Sequence, residues 1–504
     1  MAQTQSQCQG VIGLKPSLLN KKQPPALSLL FFSELWERFG FYTLQALMVL
    51  YLTNSMHFSD EKAYGISGAF SALLYAAPLI GGWLADRIVG FQRAITVGFI
   101  LYMAGYFLMD SHAQMAFYFA MALVIAGNGY FKANVSSLLG TIYEDDDPRR
   151  DRGFTIFYMG INIGSLLGPI SASIIQVHYG YHPAFATCGI GLLIGFIAYI
   201  SLRKRLLKQH GLEPYGPISH NPKTLEKSRL VTYLATLILA GIVSFILPYP
   251  IITDWSLGIL SVAAIVYALY ETFGLANFDD KKKMIALIIL IAYSVIFWAY
   301  YMQAFFSLTL FTERNVGRHI LGWTAPTAIF ATAPNFFLLI LAPFFVKLWG
   351  ALDRKRKNPS IGMKFALSMV FTALSFLVIN LGDELNFSTG IVPFFWLLLA
   401  GFVREIGELL ISPIGLSAVT RLAPPKLTGA MMGLWFLAIG GALAVGGRMA
   451  DIADVPQHVR SPIQTLPIYD HAFWVYTLSA AAIAIVSFLL LPFFNRLADE
   501  KMFN

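Results

Sequence analysis

Two carboxylates and a guanidinium crowd into the segment Glu34-Leu35-Trp36-Glu37-Arg38-Phe39-Gly40-Phe41-Tyr42, with apolar sequence on either side. At about 100° per residue, Glu34, Arg38, Phe41 and Gln45 share one helical stripe, with Glu37 beside it. Such a face can line a cavity in which acids and a base exchange protons and partners. The alternative is a buried salt bridge that only locks helices together. A second site is Lys132, in Gly127-Asn128-Gly129-Tyr130-Phe131-Lys132-Ala133-Asn134. A buried lysine is a mobile point charge suited to a carboxylate ligand, and the small residues before it permit close helix approach. Its depth within the apolar run argues against snorkelling to an interface. The third is Arg404, Glu405 and Glu408, followed by Ser412-Pro413. Glu408 and Ser412 are spaced i, i+4, just before a proline that frees a backbone carbonyl, so a carboxylate there can hold an amine. Pairing of Glu405 or Glu408 with Arg404 alone is the alternative. Tyr75, Asn162, Trp298, Gln303 and Trp435 form a fourth, polar and aromatic set, of a kind that more often packs than binds.

The elements that must position these groups are membrane helices. The chain has 504 residues, 57% hydrophobic and 13% charged, with mean hydropathy +0.62. Soluble domains carry roughly a quarter charged residues. The net charge of +8 sits in short loops and forms no folded basic domain, so nucleic acid is not an expected partner. Cys8 and Cys188 support neither a disulfide framework nor a metal site. Residues 1–26 lack a signal-peptide pattern, so the first apolar run is expected to stay as an uncleaved helix. Apolar runs long enough to span a bilayer lie near 27–54, 62–85, 92–110, 113–140, 153–178 and 183–202. A pair follows near 230–249 and 255–275, and then six more near 284–311, 322–348, 361–381, 391–419, 428–447 and 470–494.

This pattern of six, two and six predicts an all-α integral membrane protein with two six-helix bundles around a central site, plus an inserted hairpin. The expected division is a cytoplasmic tail 1–26, a bundle 27–203, a linker 204–229, the hairpin 230–280, a bundle 281–495 and a cytoplasmic tail 496–504. With the N-terminus inside, only Lys62, Arg314, Arg318, Arg448 and Arg460 fall in outer loops. Runs such as Arg203-Lys204-Arg205 and Arg354-Lys355-Arg356-Lys357 fall inside, as the positive-inside rule requires. Gly82-Trp83-Leu84-Ala85-Asp86-Arg87, then Gly90 and Arg93, reads as a tight charged turn able to act as a gate latch. Glu144 to Arg150 reads as a solvated loop.

These residues resemble the proton-dependent oligopeptide transporter family of the major facilitator superfamily. The family's first-helix motif, Glu-x-x-Glu-Arg-Phe-x-Tyr-Tyr, is matched from Glu34 to Tyr42 with one change. The turn from Gly82 to Arg93 is similar to the superfamily's loop motif, with Asp86, Arg87 and Arg93 as its charged members. Phe157 to Leu166 resembles the family's fifth-helix signature, and Gly407 to Pro413 its tenth-helix segment. The inserted hairpin resembles that of prokaryotic members.

The resemblance implies symport of di- and tripeptides with protons by rocking of the two bundles. By it, Arg38 and Lys132 receive the peptide carboxylate and Glu408 the amine, with Ser412 nearby. Asn162, Tyr42 and Tyr75 bind the peptide, and Trp298 and Trp435 line side-chain pockets. Glu34, Glu37, Arg38 and Lys132 couple protons. Three departures stand out. Phe41 replaces a tyrosine. Gln45 and Met302 replace an arginine–glutamate pair of the outer gate, which is therefore expected to close by packing. An Asn-Pro appears reversed as Pro334-Asn335, leaving the contact of Asn335 with the peptide amine open. No cofactor or metal is implied, and the expected partners are peptide, protons and the bilayer of a bacterial inner membrane, for a monomer.

A same-fold carrier of another small solute (an amino acid, an organic anion or a peptide-like drug) and a drug/proton antiporter are the alternatives. An embedded enzyme would need a nucleophile–base or metal set within the spans, and the sequence offers none.

Overall fold

Fourteen long helices dominate the described residues, 85% of which are helical, in a computed structural model that describes residues 22–109, 111, 113–144, 147, 149–214, 221–275, 277–320, 322–424 and 427–499. The first six are α1 Pro25–Asn54, α2 Asp60–Leu84, α3 Phe91–Leu108, α4 Gln114–Thr141, α5 Arg150–Tyr179 and α6 Tyr181–Leu206. A pair follows, α7 Pro222–Ile246 and α8 Pro250–Gly274. The last six are α9 Phe278–Asn315, broken by a 3-10 turn at Met302–Phe305, α10 Thr327–Arg354, α11 Ile361–Glu384, α12 Phe394–Leu422, α13 Thr428–Ala450 and α14 Pro462–Ala498. Only a helix satisfies every backbone N–H and C=O within its own segment when no water is at hand. Their starts follow local signals: Ser59, Asn221, Asn277 and Ser360 each accept a first-turn N–H with the side chain.

Eleven of the spans are apolar enough to cross a membrane by composition alone. The three that are not, α1, α4 and α12, are those that carry Glu34, Glu37 and Arg38, then Lys132, then Arg404, Glu405 and Glu408. The helices least fitted to lipid by composition are thus the ones that must be wrapped by others.

α14 begins at Pro462 and not near 470, and by an equal margin α7 begins at Pro222 and not near 230. The Asn221-Pro222 pair caps and nucleates it, because proline loses nothing at a position whose N–H has no helical partner. Arg229 thereby becomes a buried helical residue that donates to Ile88 O and pairs with Glu213 and Glu226. Most of the expected tails, Cys8 included, and part of the linker and of the Glu144–Arg150 loop lie outside the described residues.

In the first half α1 packs on α5 and α6, α2 on α4, and α3 on α4 and α6. In the second half α11 packs on α12 and α14, α9 on α13 and α12, and α10 on α12. The halves meet along α2 with α13 and α5 with α10, and the major facilitator arrangement of two six-helix bundles results. Of the inserted pair, α7 lies on α4 and α8 on α13, α2 and α9.

Glycines bring the charged helix into register with its neighbours. A Cβ at Gly164 would stand 2.4 Å from Leu35 O, and one at Gly168 2.3 Å from Phe39 O. Spaced i, i+4 on α5, they let its backbone lie directly against the turn of α1 that carries Glu37 and Arg38. Across the site, a Cβ at Gly81 would stand 1.9 Å from Gly129 O, which fixes α2 against α4 just before Lys132. Gly164→Ala should therefore force α5 off α1 at a cost of about 1–3 kcal/mol, read as a lower Tm of the purified protein in detergent. Leu167→Ala, at an exposed position on the same helix, should change little; equal Tm values for both variants would remove this packing argument.

Candidate functional site

The charges of α1 are not merely buried; each has a specific partner. Glu34 and Glu37 are both 0% exposed. The Arg38 guanidinium chelates Glu37, with Nη2 2.6 Å from Oε1 and Nε on Oε2. Its Nε also stands 3.6 Å from Glu34 Oε1, and Lys132 Nζ donates to that same oxygen at 2.7 Å. Glu34 Oε2 is buried and has no hydrogen-bond partner. Two acids and two bases thus form a quartet of zero formal charge, the arrangement by which ions survive at membrane depth. The Lys132 side chain is 31% exposed, so the quartet is sealed on the α1 side and open at its lysine.

Other residues orient it. Tyr102 of α3 places its hydroxyl between Glu37 Oε1 and Asn128 Oδ1, the latter at 2.9 Å. Asn128 also donates to Leu74 O, and its Oδ1 lies 3.5 Å from Arg38 Nη2. The Arg38 guanidinium sits 4.2 Å from the centre of the Phe41 ring, so the residue that lost a hydroxyl relative to the family motif offers a cation–π face.

In the second half, Glu405 is fully buried and Glu408 half-buried on α12. Tyr301 of α9 donates to Glu405 Oε1 at 3.2 Å, and the Arg404 guanidinium lies over its ring at 4.9 Å. Arg404 Nε is 3.9 Å from Glu405 Oε1 and makes no hydrogen bond, so the pair with Arg404 alone is a loose one. The halves face each other here: Tyr42 lies within electrostatic reach of Arg38, Tyr158 and Glu408, and Tyr75 of Arg38, Glu37 and Glu408. Arg38 of one bundle and Glu408 of the other therefore both act on Tyr42 and Tyr75.

The remaining candidates are more scattered. Asn162 is half-buried and donates to Tyr158 O at 2.9 Å. Asn335 and Ser412 are half-buried on α10 and α12. Trp298 is half-buried and edge-on to Tyr301, with ring centres 5.1 Å apart. Trp435 is 2% exposed and packs over Gly415, where a Cβ would stand 2.1 Å from its ring; in this conformation it is closed off inside the second bundle. Gln303 donates to Gly446 O at 2.8 Å and ties the break in α9 to α13.

Asp86 and Arg87 are exposed, in a turn of π-helical geometry at Ala85–Val89. Arg93 binds Leu212 O and Glu213 in the linker, and Arg229 binds Glu213 from α7. Partial burial raises the Glu213 carboxyl, but the two guanidinia outweigh it and hold the group below the usual carboxylate range. Gly90, at φ +85°, turns the chain where a Cβ would stand 2.5 Å from Leu212 O. The charged turn is thus tied to the linker beneath it.

The face of the bundle opposite the termini departs from expectation. In place of closure by packing alone, Arg314 at the end of α9 forms a two-pronged ion pair with Asp60 at the start of α2, with Nη2 2.8 Å from Oδ1. Tyr469 and Val455 N complete the cluster. Just inside it, Gly68 of α2 meets Gly447 of α13, where a Cβ at Gly68 would stand 3.1 Å from Gly447 Cα. Loop proximity hid the pair in the sequence, because both residues sit at helix ends where charges are ordinary.

Tyr102, Tyr158 and Tyr301 escaped the sequence reading, since a tyrosine inside an apolar run carries no signal of its own. Asn128 was visible as a polar residue within a span, in the same segment as Lys132.

Comparison with known proteins agrees with this geometry. The POT family profile matches residues 92–468. Dipeptide and tripeptide permease A of Erwinia pyrifoliae is 35% identical over 483 residues, covering 95% of this chain and 96% of that one. A crystal structure of a peptide transporter POT in complex with sulfate superposes with TM-score 0.81 at 30% identity, covering 94% of this chain and 96% of that one. A POT family transporter in complex with 5-aminolevulinic acid superposes with TM-score 0.78 at 26% identity, covering 92% and 96%. A profile match over most of the length, together with end-to-end likeness to a permease of this kind, shows that the chain belongs to the POT family of transporters.

Proposed function

We propose that the protein is a proton-coupled symporter that imports di- and tripeptides by alternating access. The observation that carries this reading is that Arg38 of the first bundle and Glu408 of the second both lie within electrostatic reach of Tyr42 and Tyr75, with Lys132 joined to Arg38 through Glu34. Opposite charges held a short distance apart select a zwitterion with free ends. The likeness to a dipeptide and tripeptide permease supports the substrate class. The moving bodies are residues 27–203 and 281–495, with 230–280 as the inserted hairpin. The termini lie on the cytoplasmic side of a bacterial inner membrane, and the protein works as a monomer.

Charge balance within the quartet supplies the coupling. With no peptide bound, Glu34 and Glu37 neutralise Lys132 and Arg38. An arriving peptide carboxylate competes for those cations and leaves one buried negative charge in excess. A proton taken up at Glu34 or Glu37 restores neutrality, and the unpartnered Glu34 Oε2 is an acceptor already in place. Peptide and proton therefore bind favourably together and poorly apart. Glu408 receives the amine, with Ser412 one turn further along α12 and Asn335 on the neighbouring α10; Asn162 holds the backbone, and Trp298 and Trp435 border side chains. Asp86, Arg87 and Arg93 keep the cytoplasmic turn in place as the bundles rock, while Asp60 and Arg314 latch the outer face.

The deciding experiment is uptake of labelled dipeptide into proteoliposomes under an imposed inward proton gradient; no accumulation, with no competition by tripeptides, ends the proposal. Glu37→Gln should cut gradient-driven accumulation about tenfold or more, as expected for loss of a charge-assisted buried pair, while counterflow exchange partly survives. Loss of all peptide binding in that variant would point to a purely structural ion pair. Glu408→Ala should weaken free-amine peptides about thirtyfold or more but N-acetylated ones far less; equal losses would take the amine away from Glu408. Arg314→Ala should unlatch the outer face, speeding labelling by an impermeant maleimide several-fold at Ser71→Cys in a background free of other cysteines. An unchanged labelling rate would mean that packing alone keeps that face shut.

A further inference from the structure

Glu405 has no place in the mechanism above, yet it is fully buried one turn from the carboxylate assigned to the amine. Glu408 follows it by three residues, on the same face of α12, and the hydroxyl of Tyr301 donates to Glu405 Oε1 at 3.2 Å. Two buried oxygens, Glu405 Oε2 and Glu408 Oε2, have no donor facing them. Tyr42 of α1 and Tyr75 of α2 lie within electrostatic reach of Glu408, and the other groups around the pair are few. Arg404 belongs to the same helix and stands off at 3.9 Å; Tyr301 comes from α9, and Tyr158 from α5 is in electrostatic reach of both acids. From α11, Ser368 O and Phe371 pack on Gly407, and from α10 Pro334 packs on Gly401. A single offset cation balances one carboxylate and not two. Two neighbouring carboxylates, one of them fully buried, are costly to ionise together when a single offset cation is at hand.

We infer that Glu405 is a proton-holding, positioning residue: it shares one proton with Glu408, and a peptide's amine displaces that proton when it docks. This rests on the amine site proposed above and gives it a second proton exchange, separate from the quartet on α1. The proton moves from the Glu405–Glu408 oxygens to bulk water, and the ammonium group takes over its charge at Glu408. The sign follows. When the pair holds its proton, it and Arg404 are together neutral and attract an ammonium weakly. When the pair is fully ionised, one net negative charge remains and the ammonium binds well. Affinity for free-amine peptides, relative to N-acetylated peptides of the same sequence, should therefore rise with pH through the pair's titration, by up to about tenfold per pH unit for a single displaced proton.

The test measures dissociation constants of a dipeptide and its N-acetylated form between about pH 5 and pH 8, for the full-length protein and for Glu405→Gln and Tyr301→Phe. The ratio of the two constants cancels the contribution of the α1 quartet, which both ligands share. It should climb with pH in the unaltered protein and flatten to within about twofold in Glu405→Gln, where an amide permanently supplies the hydrogen. Glu405→Asp should restore the slope. Tyr301→Phe keeps both acids and should retain the slope with a displaced midpoint, so the idea stays testable if Glu405→Gln fails to fold. An identical ratio profile in the unaltered protein and Glu405→Gln, or a flat profile in the unaltered protein and in Tyr301→Phe, overturns the inference. Absence of dipeptide binding at any pH would instead overturn the proposed substrate.

Discussion

Ions held at membrane depth are the constraint from which the rest of the architecture follows. Each ionisable group within a span costs about 2.5–3.5 kcal/mol or more unless it is paired and shielded from lipid. Glu34, Glu37, Arg38 and Lys132 meet that demand as a neutral quartet, and the demand dictates their surroundings. α1 must lie inside a bundle, and α5 must approach it closely enough that Gly164 and Gly168 have no room for a side chain. α4 must bring Lys132 to Glu34, which requires the equally close contact of Gly129 with Gly81 on α2. Tyr102 and Asn128 then supply the directional bonds that decide which acid each base faces.

The two bundles treat their charges differently. The first satisfies almost every donor and acceptor of its quartet, leaving one carboxylate oxygen of Glu34 without a partner. The second leaves Glu405 Oε2, Glu408 Oε2 and Arg404 Nε all without partners. Buried polar groups without partners are costly and are therefore confined to places where something else arrives to satisfy them. In the proposed function, the neutral quartet, open at Lys132, is the end that gives up cations, and the unsatisfied acids on α12 are the end that receives a donor.

The ends of the molecule carry the complementary constraint. Asp60 with Arg314 joins the bundles on one face, while the turn before α3 is tied to the linker and to α7 on the other. Both ties belong to helix termini, where water is near and an ion pair costs less to break than at depth. That is a reasonable location for contacts that must open and close, and it differs from the glycine contacts at Gly164, Gly168 and Gly81, which hold helices of the first bundle together.

The helices themselves were legible from composition, because lipid leaves the backbone no other way to satisfy its hydrogen bonds; all fourteen spans of the sequence reading have a helix in the structure. The positions of Glu34, Glu37, Arg38, Lys132 and Glu408 were equally legible, since charge within an apolar run is its own signal. Tertiary structure decided the rest. It showed that Lys132 pairs with Glu34 and Arg38 with Glu37, that Trp435 is shut inside its bundle, and that an ion pair of Asp60 with Arg314 joins the bundles at the face opposite the start of α1. It also brought in Tyr102, Tyr158 and Tyr301, whose hydroxyls matter only because other helices place an acid or an amide beside them. A one-dimensional pattern records the cost of burying a group, which belongs to the residue alone. The partner that offsets that cost comes from a different helix, and only the packing of the helices decides which one.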